Sequence, residues 1–210
     1  MIKIDKIDTG LPVSVIIPLS KHREEFFYNM VLPLIEANNV NEIIINSNEG
    51  SAPKKRNDGF DASTQPFVFF CDDDILLPAN YIESLYNEII KNNDIAFTYT
   101  GYEGIVLNPQ THPMHGNFKI PHIEFSENQL KYANYISTMS LLRREHFPYF
   151  DEKLKRLQDY DLWLTIVKNG GVGKLVKNNT FYAFYLDDGI TSIQNNEVDA
   201  VLAIRNKHSL

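Results

Sequence analysis

Three consecutive aspartates, Asp72, Asp73 and Asp74, stand between the apolar run FVFF (67–70) and the apolar residues Ile75, Leu76 and Leu77. Like charges this close repel, and burying one of them unpaired is costly. A divalent cation removes the repulsion, and oxygen donors suit Mg2+ or Mn2+. Asp72 and Asp74 point the same way if the chain turns there or the strand stays straight. Mg2+ usually takes only one or two carboxylates and completes its shell with water and phosphate oxygens. The chemistry on offer is therefore that of a metal that holds a diphosphate. The plain alternative is a solvated turn with an aspartate capping a helix over 78–91.

Other residues bear on that choice. Arg56 lies on the polar segment before the same strand, and its fork of donors matches phosphate. Lys54 and Lys55 beside it read as a solvated basic patch. Asp159 opens a helical pattern whose N-terminus favours the ionised carboxylate. Facing a substrate hydroxyl, it is a general base; facing elsewhere, it is first-turn charge. Asp161, two residues on, points away. His112, His115 and His122 suggest zinc, but the spacing crosses a proline and no fourth ligand fits. That loop reads instead as a lining for an acceptor. Cys71 reads as a small buried residue among acids, which raise a thiol pKa, and not as a nucleophile.

The elements that must position these groups follow from pattern. VSVIIP (13–18) and NEIIINSN, with Ile43 to Ile45 at its centre, are short β-branched runs, and PFVFF is a third; all three read as buried parallel strands. EEFFYNMVLPLIEAN starts as a helix that Pro33 kinks or begins. APKKRNDGFDAS is a polar, helical connection. PANYIESLYNEIIKNN and QDYDLWLTIVKNGG carry apolar residues at three and four spacing and read as helices, the second stopped by Gly170 and Gly171. DIAFTYTGYEGIVL reads as strand, 108–124 as a long loop, YISTMSLLRREHF as a strand and a short helix, and GKLVKN and TFYAFYL as closing strands. The alternation predicts a doubly wound α/β fold with a mostly parallel sheet flanked by helices. Ligands of such sheets bind beyond the carboxyl ends of the strands. That edge gathers Asp72 to Asp74, Asn46 to Asn48, and Leu19 to Lys21.

The whole chain sets bounds. With 210 residues, 43% hydrophobic and 22% charged, it reads as one soluble globular domain. A net charge of −7 argues against a general nucleic-acid binder. The opening MIKIDKID lacks the apolar core of a signal peptide, and no apolar run reaches the length of a membrane span. A single cysteine excludes an internal disulfide and suits a reducing, cytoplasmic setting.

In order along the chain, the strand VSVIIP, the element KKRNDG (54–59), the triplet in FFCDDDILLP and the segment LLRREHFPYFDEKLKRLQDYDLWL (141–164) resemble inverting glycosyltransferases of the GT-A fold, most closely glycosyltransferase family 2. The match spans roughly 13–185 in the same order. The resemblance implies a single Rossmann-like GT-A domain over 1–210, with about 1–75 as the nucleotide-sugar half and 76–210 as the acceptor half. It assigns Asp72 and Asp74 to the metal, Mn2+ or Mg2+. It assigns Pro18, Leu19, Asn46, Arg56, Asp72 and Asp73 to the nucleotide sugar, and Asp159 to the base that deprotonates an acceptor hydroxyl. The donor implied is a nucleoside-diphosphate sugar, a UDP-sugar by preference, and the transfer is of hexosyl type with inversion. The acceptor is a glycan or glycoprotein, presented within a larger multidomain or multi-enzyme system.

The chain also departs from that pattern. Asn46 and Ser47 stand where an acid that reads the base is usual, Leu19 where a small hydroxyl residue is common, and Gln158 where a glutamate precedes the base. Asp187 and Asp188 stand where an arginine or histidine is frequent. Two rivals stay open. One is a GT-A-like domain that binds nucleotide or glycan without turnover. The other is a nucleotidyltransferase, which would want a glycine-rich phosphate loop where PLSKHREEF has no glycine.

Overall fold

A computed structural model describes residues 1–6, 9–110, 115–185 and 197–210. The chain opens with β1 (Ile2–Lys6) and β2 (Leu11–Ile17). Beyond β2 come a 3-10 turn (Lys21–Arg23), the short α1 (Glu24–Phe26), a π-helical turn (Phe27–Val31) and α2 (Leu32–Glu36). Pro33 sits in the first turn of α2, where its missing N–H costs nothing, and the π turn precedes it. Then follow β3 (Val40–Asn46), α3 (Ala52–Ala62), β4 (Phe67–Phe70), β5 (Ile75–Leu76), α4 (Tyr81–Ile89), β6 (Ile95–Tyr99), β7 (Tyr102–Val106) and β8 (Phe118–Ile120). The remainder is α5 (Glu127–Tyr132), β9 (Leu141–Arg143), α6 (Gln158–Lys168), β10 (Val172–Leu175), β11 (Phe181–Tyr185) and α7 (Glu197–His208).

Among the described residues a seven-stranded sheet runs in the order β1-β3-β2-β4-β9-β6-β10. β3, β2, β4, β6 and β10 point one way; β1 and β9 run against them. A second sheet runs β5-β11-β7-β8. The chain leaves β2 for β3 on one side and returns to β4 on the other. The crevice beyond the ends of β2 and β4 is thus the point where strand order reverses, the expected ligand position in such sheets.

The segment 94–107, expected as one strand, is two strands in different sheets. The break falls at Gly101, where a Cβ would lie 2.5 Å from the Ile120 carbonyl oxygen. Only a glycine lets the two backbones approach that closely as the chain crosses over. β1, which the sequence reading did not anticipate, pairs antiparallel with β3 from Ile2↔Asn46 to Lys6↔Glu42.

Apolar layers cover both faces of the large sheet. One contains Val15, Ile17, Ile35, Phe69, Tyr81 and Leu85; the other contains Ile16, Phe70, Phe97, Phe147, Trp163 and Ile166. Trp163 stacks on Phe97 with ring centroids 4.6 Å apart and donates its indole N–H to the Ile136 carbonyl at 2.9 Å. That contact seats α6, the helix that begins at Gln158–Asp159. The helix stops as expected, with Gly170 at φ +90. No helix among the described residues is long and apolar enough to cross a membrane.

Candidate active site

The apolar flanks of the triplet now have a reason. β4 delivers it from the core of the large sheet, and β5 takes the chain straight into the second sheet. The Cys71 N–H donates to the Ile16 carbonyl at 3.0 Å, and the Phe184 N–H donates to the Asp74 carbonyl at 3.0 Å. The turn is therefore bonded to both sheets. Cys71 is fully buried, and burial and the neighbouring acids push its thiol far up, so it is no nucleophile.

The three carboxylates differ. Asp72 is the most open, its side chain 31% exposed, and it forms an ion pair with Arg56. Asp73 is 5% exposed and turned inward: it accepts the Ser20 N–H at 2.7 Å and Arg23 Nη1 at 2.9 Å. Asp74, 19% exposed, accepts the same Arg23 Nη1 at 2.5 Å. Burial, with the charge of Asp72 adding to it, raises the Asp74 carboxyl to about 7, against the pull of Arg23. Asp72 and Asp74 present oxygen donors of the type that suits Mg2+ or Mn2+, in the number such ions take from protein. Among the described residues no group of three or more His, Cys, Asp or Glu forms a protein-only cage.

Arg56 is buried on α3 and joins the two parts of the candidate site. Beyond its pair with Asp72, it donates from Nη1 to Gln158 Oε1 at 3.0 Å, and its guanidinium lies 5.2 Å from the Phe150 ring centroid. Its Nε is buried and has no hydrogen-bond partner among the described residues. Gln158 donates in turn to the Leu154 carbonyl at 3.1 Å, which fixes its amide orientation. Lys54 is solvated and paired with Asp58 at 2.8 Å, as expected. Lys55 is not solvated: it is buried and donates to the Leu19 carbonyl at 2.7 Å, because this face of α3 packs on the end of β2.

Asp159 sits in the first turn of α6, behind Leu157 at φ 56. A leucine in the left-handed region costs about 1–2 kcal/mol, strain of the kind found at functional sites. Asp159 Oδ2 accepts from Asn134 Nδ2 at 2.8 Å, and Oδ1 accepts the Tyr160 N–H at 2.9 Å. Burial raises its carboxyl above the ordinary range, while both donors and the charge of Arg56 oppose the shift. Asp161 points away from this site, into Lys207 at 2.9 Å and His208 at 2.8 Å of α7.

Tyr102 and Tyr185 from the second sheet bring their hydroxyls to 3.3 Å of one another. Burial is the main cause of both raised phenols; the charge of Asp159 adds to both, and that of Asp74 to Tyr185. The pair therefore stands within electrostatic reach of both acids. Arg23, Asn134, Tyr102 and Tyr185 were not singled out in sequence, because their partners lie 25 or more positions away.

Pro18, Leu19 and Asn46 lie at the same sheet edge but are buried. The Asn46 side chain donates to the Lys55 carbonyl at 3.0 Å and accepts the Asn48 N–H at 3.1 Å, so both its ends serve the fold. Of the three histidines, His122 bonds the Asn179 carbonyl at 2.7 Å, and His112 lies outside the described residues, as do Asp187 and Asp188.

Comparison with known proteins completes the picture. The search of curated protein sequences finds no match. Among solved structures, S. aureus TarS 1-349 in complex with UDP-GlcNAc superposes with a TM-score of 0.68 at 15% identity, covering 94% of this chain and 65% of that one. The same fragment in complex with UDP gives 0.59 at 16% identity, covering 83% and 61%. S. aureus TarS without that truncation gives 0.57 at 16%, covering 84% and 37%. The chain thus spans less than two thirds of each of these structures. At such identities the likeness shows the fold, which is GT-A. Residues 28–150, more than half of the sequence, match the profile of glycosyl transferase family 2, and the chain belongs to that family.

Proposed function

We propose that the chain transfers a hexosyl group from a nucleoside-diphosphate sugar, a UDP-sugar by preference, to a hydroxyl of a glycan or glycoprotein, with inversion. The observation that carries this reading is the position of Arg56, which touches Asp72 on one side and Gln158, the neighbour of Asp159, on the other. A diphosphate held at the triplet and an acceptor hydroxyl held at Asp159 would share that one guanidinium. Support also comes from family membership and from the UDP-GlcNAc complex of the structural neighbour.

In this reading Asp159 takes the proton of the acceptor hydroxyl. The acceptor oxygen then forms its bond to the anomeric carbon as the bond from that carbon to the phosphate oxygen breaks. Asn134 and the Tyr160 amide hold the carboxylate in place for this step. Arg56 faces the charge that develops on the departing nucleoside diphosphate. Asp72 and Asp74 are the residues that would hold Mn2+ or Mg2+, which when bound supplies Lewis-acid stabilisation of that charge. Asp73, turned to Ser20 and Arg23, would act on the donor through the loop it anchors.

The test is calorimetric titration of UDP, GDP and dTDP with Mn2+ and then with EDTA. The expected result is metal-dependent binding of UDP, lost in Asp74→Ala. An Asp159→Asn variant that still binds UDP but has lost transfer supports the base. Binding of no nucleotide with metal present overturns the reading in favour of a glycan-binding domain.

A further inference from the structure

The triplet is already compensated from within the chain. Arg23 stands on the 3-10 turn beyond β2, its side chain 11% exposed. Its Nη1 bridges Asp73 Oδ1 at 2.9 Å and Asp74 Oδ2 at 2.5 Å. The other Asp73 oxygen takes the Ser20 N–H at 2.7 Å, which pins the turn carrying Arg23 against the triplet. Arg56 serves Asp72. Among the described residues, three carboxylates thus face two guanidinium groups. Asp74 Oδ2, a donor atom a divalent cation would use, is the atom Arg23 holds.

We propose that Arg23 is a resident counter-cation that competes with the divalent metal for Asp74 and thereby couples metal binding to nucleotide binding. The proposal rests on the assignment of Asp72 and Asp74 as the metal ligands. A planar guanidinium pairs with carboxylate or phosphate. Metal arriving alone must take Asp74 from a largely buried cation that gains nothing in exchange. Metal arriving with a nucleoside diphosphate brings a second oxyanion beside the turn. Arg23 keeps Asp73, releases Asp74 to the metal and balances the incoming phosphate with its charge. By linkage, whatever factor the nucleotide adds to metal affinity, the metal adds to nucleotide affinity.

Free Mn2+ is followed by electron paramagnetic resonance during titration of the wild-type protein and Arg23→Gln, each with and without saturating UDP. The neutral variant is expected to bind Mn2+ alone about tenfold more tightly than wild type, within the usual range of such couplings. It is also expected to show a smaller enhancement by UDP. Arg23→Lys, which keeps the charge, is expected to stay close to wild type for Mn2+ alone. Arg23→Met supplies the neutral comparison if circular dichroism shows Arg23→Gln unfolded. Mn2+ binding no tighter in a folded neutral variant overturns the proposal. A UDP enhancement equal to wild type also overturns it, since the coupling then comes from the metal–phosphate contact alone. If no protein takes up Mn2+ with or without UDP, the proposal and the metal assignment fall together. UDP titration in EDTA then separates that outcome from failure of the nucleotide site itself.

Discussion

Replacing Asn134 by leucine tests how the candidate base is held. The substitution keeps volume and removes the 2.8 Å donor to Asp159 Oδ2, while the Tyr160 N–H remains on Oδ1. A hydrogen bond to a charged group contributes about 1.5–3 kcal/mol. Asp159 is only partly shielded from solvent, so the lower end applies. At 1.36 kcal/mol per pKa unit, the loss corresponds to about one unit. The direction follows from the balance at the site. Burial already raises the Asp159 carboxyl, and Asn134 is one of the groups pulling it down, so removing Asn134 raises it further. The base works ionised, and activity is lost as pH falls through its pKa. The acid limb of kcat/KM for transfer should therefore move up by about one pH unit, while the alkaline plateau keeps most of its height. The assay is kcat/KM against pH for the variant and wild type, with Asp159→Asn as the control that lacks the limb. A lowered plateau with an unmoved limb refutes the reasoning. Asn134 would then act only through its Oδ1, which accepts the Ile136 N–H at 3.2 Å and shapes the loop.

Arg56→Lys keeps a charge but cannot span Asp72 and Gln158 together; UDP affinity by calorimetry should fall about tenfold with the melting temperature little changed, a bidentate contact being worth more than a point charge. Asp161→Ala removes the acceptor of the mostly buried His208 and one of two acceptors of Lys207, which keeps Asp151; amide exchange along α7 should quicken, with a local cost of about 1–3 kcal/mol. Gly59→Ala places a Cβ 2.5 Å from Ile16 Cγ2; α3 must lift from β2 at about 1–3 kcal/mol, and thermal melting should fall by about 2–4 °C for each kcal/mol.

The elements around the site were legible wherever one residue pattern sufficed. FVFF reads as a buried strand because each position faces a packed layer, and it is one, buried throughout. The apolar face of α6 is set by its spacing, and Tyr160, Trp163 and Leu164 are buried as that spacing implies. The reading faltered where a polar side chain answers to a distant partner. Lys55 reads as solvated because nothing local shows that the Leu19 carbonyl stands within reach. Arg23 lies 50 and 51 positions from the carboxylates it bridges, so no window of sequence contains the contact. β1 was hidden for a different reason. IKIDK alternates with the period of a strand, but on an edge its charged side chains look like those of any solvated segment. The break at Gly101 depends on a backbone approach that only the fold creates.

The triplet is also a splice between two sheets. Asp72 follows the end of β4 in one, and Asp74, bonded through its carbonyl to β11, leads into β5 in the other. Any slide of one sheet past the other is therefore transmitted to the spacing of these two carboxylates. A ligand that draws the carboxylates together acts on the seam and ties the sheets to a common frame. Stiffening should then spread along β11 and β7 to strands that the ligand never touches.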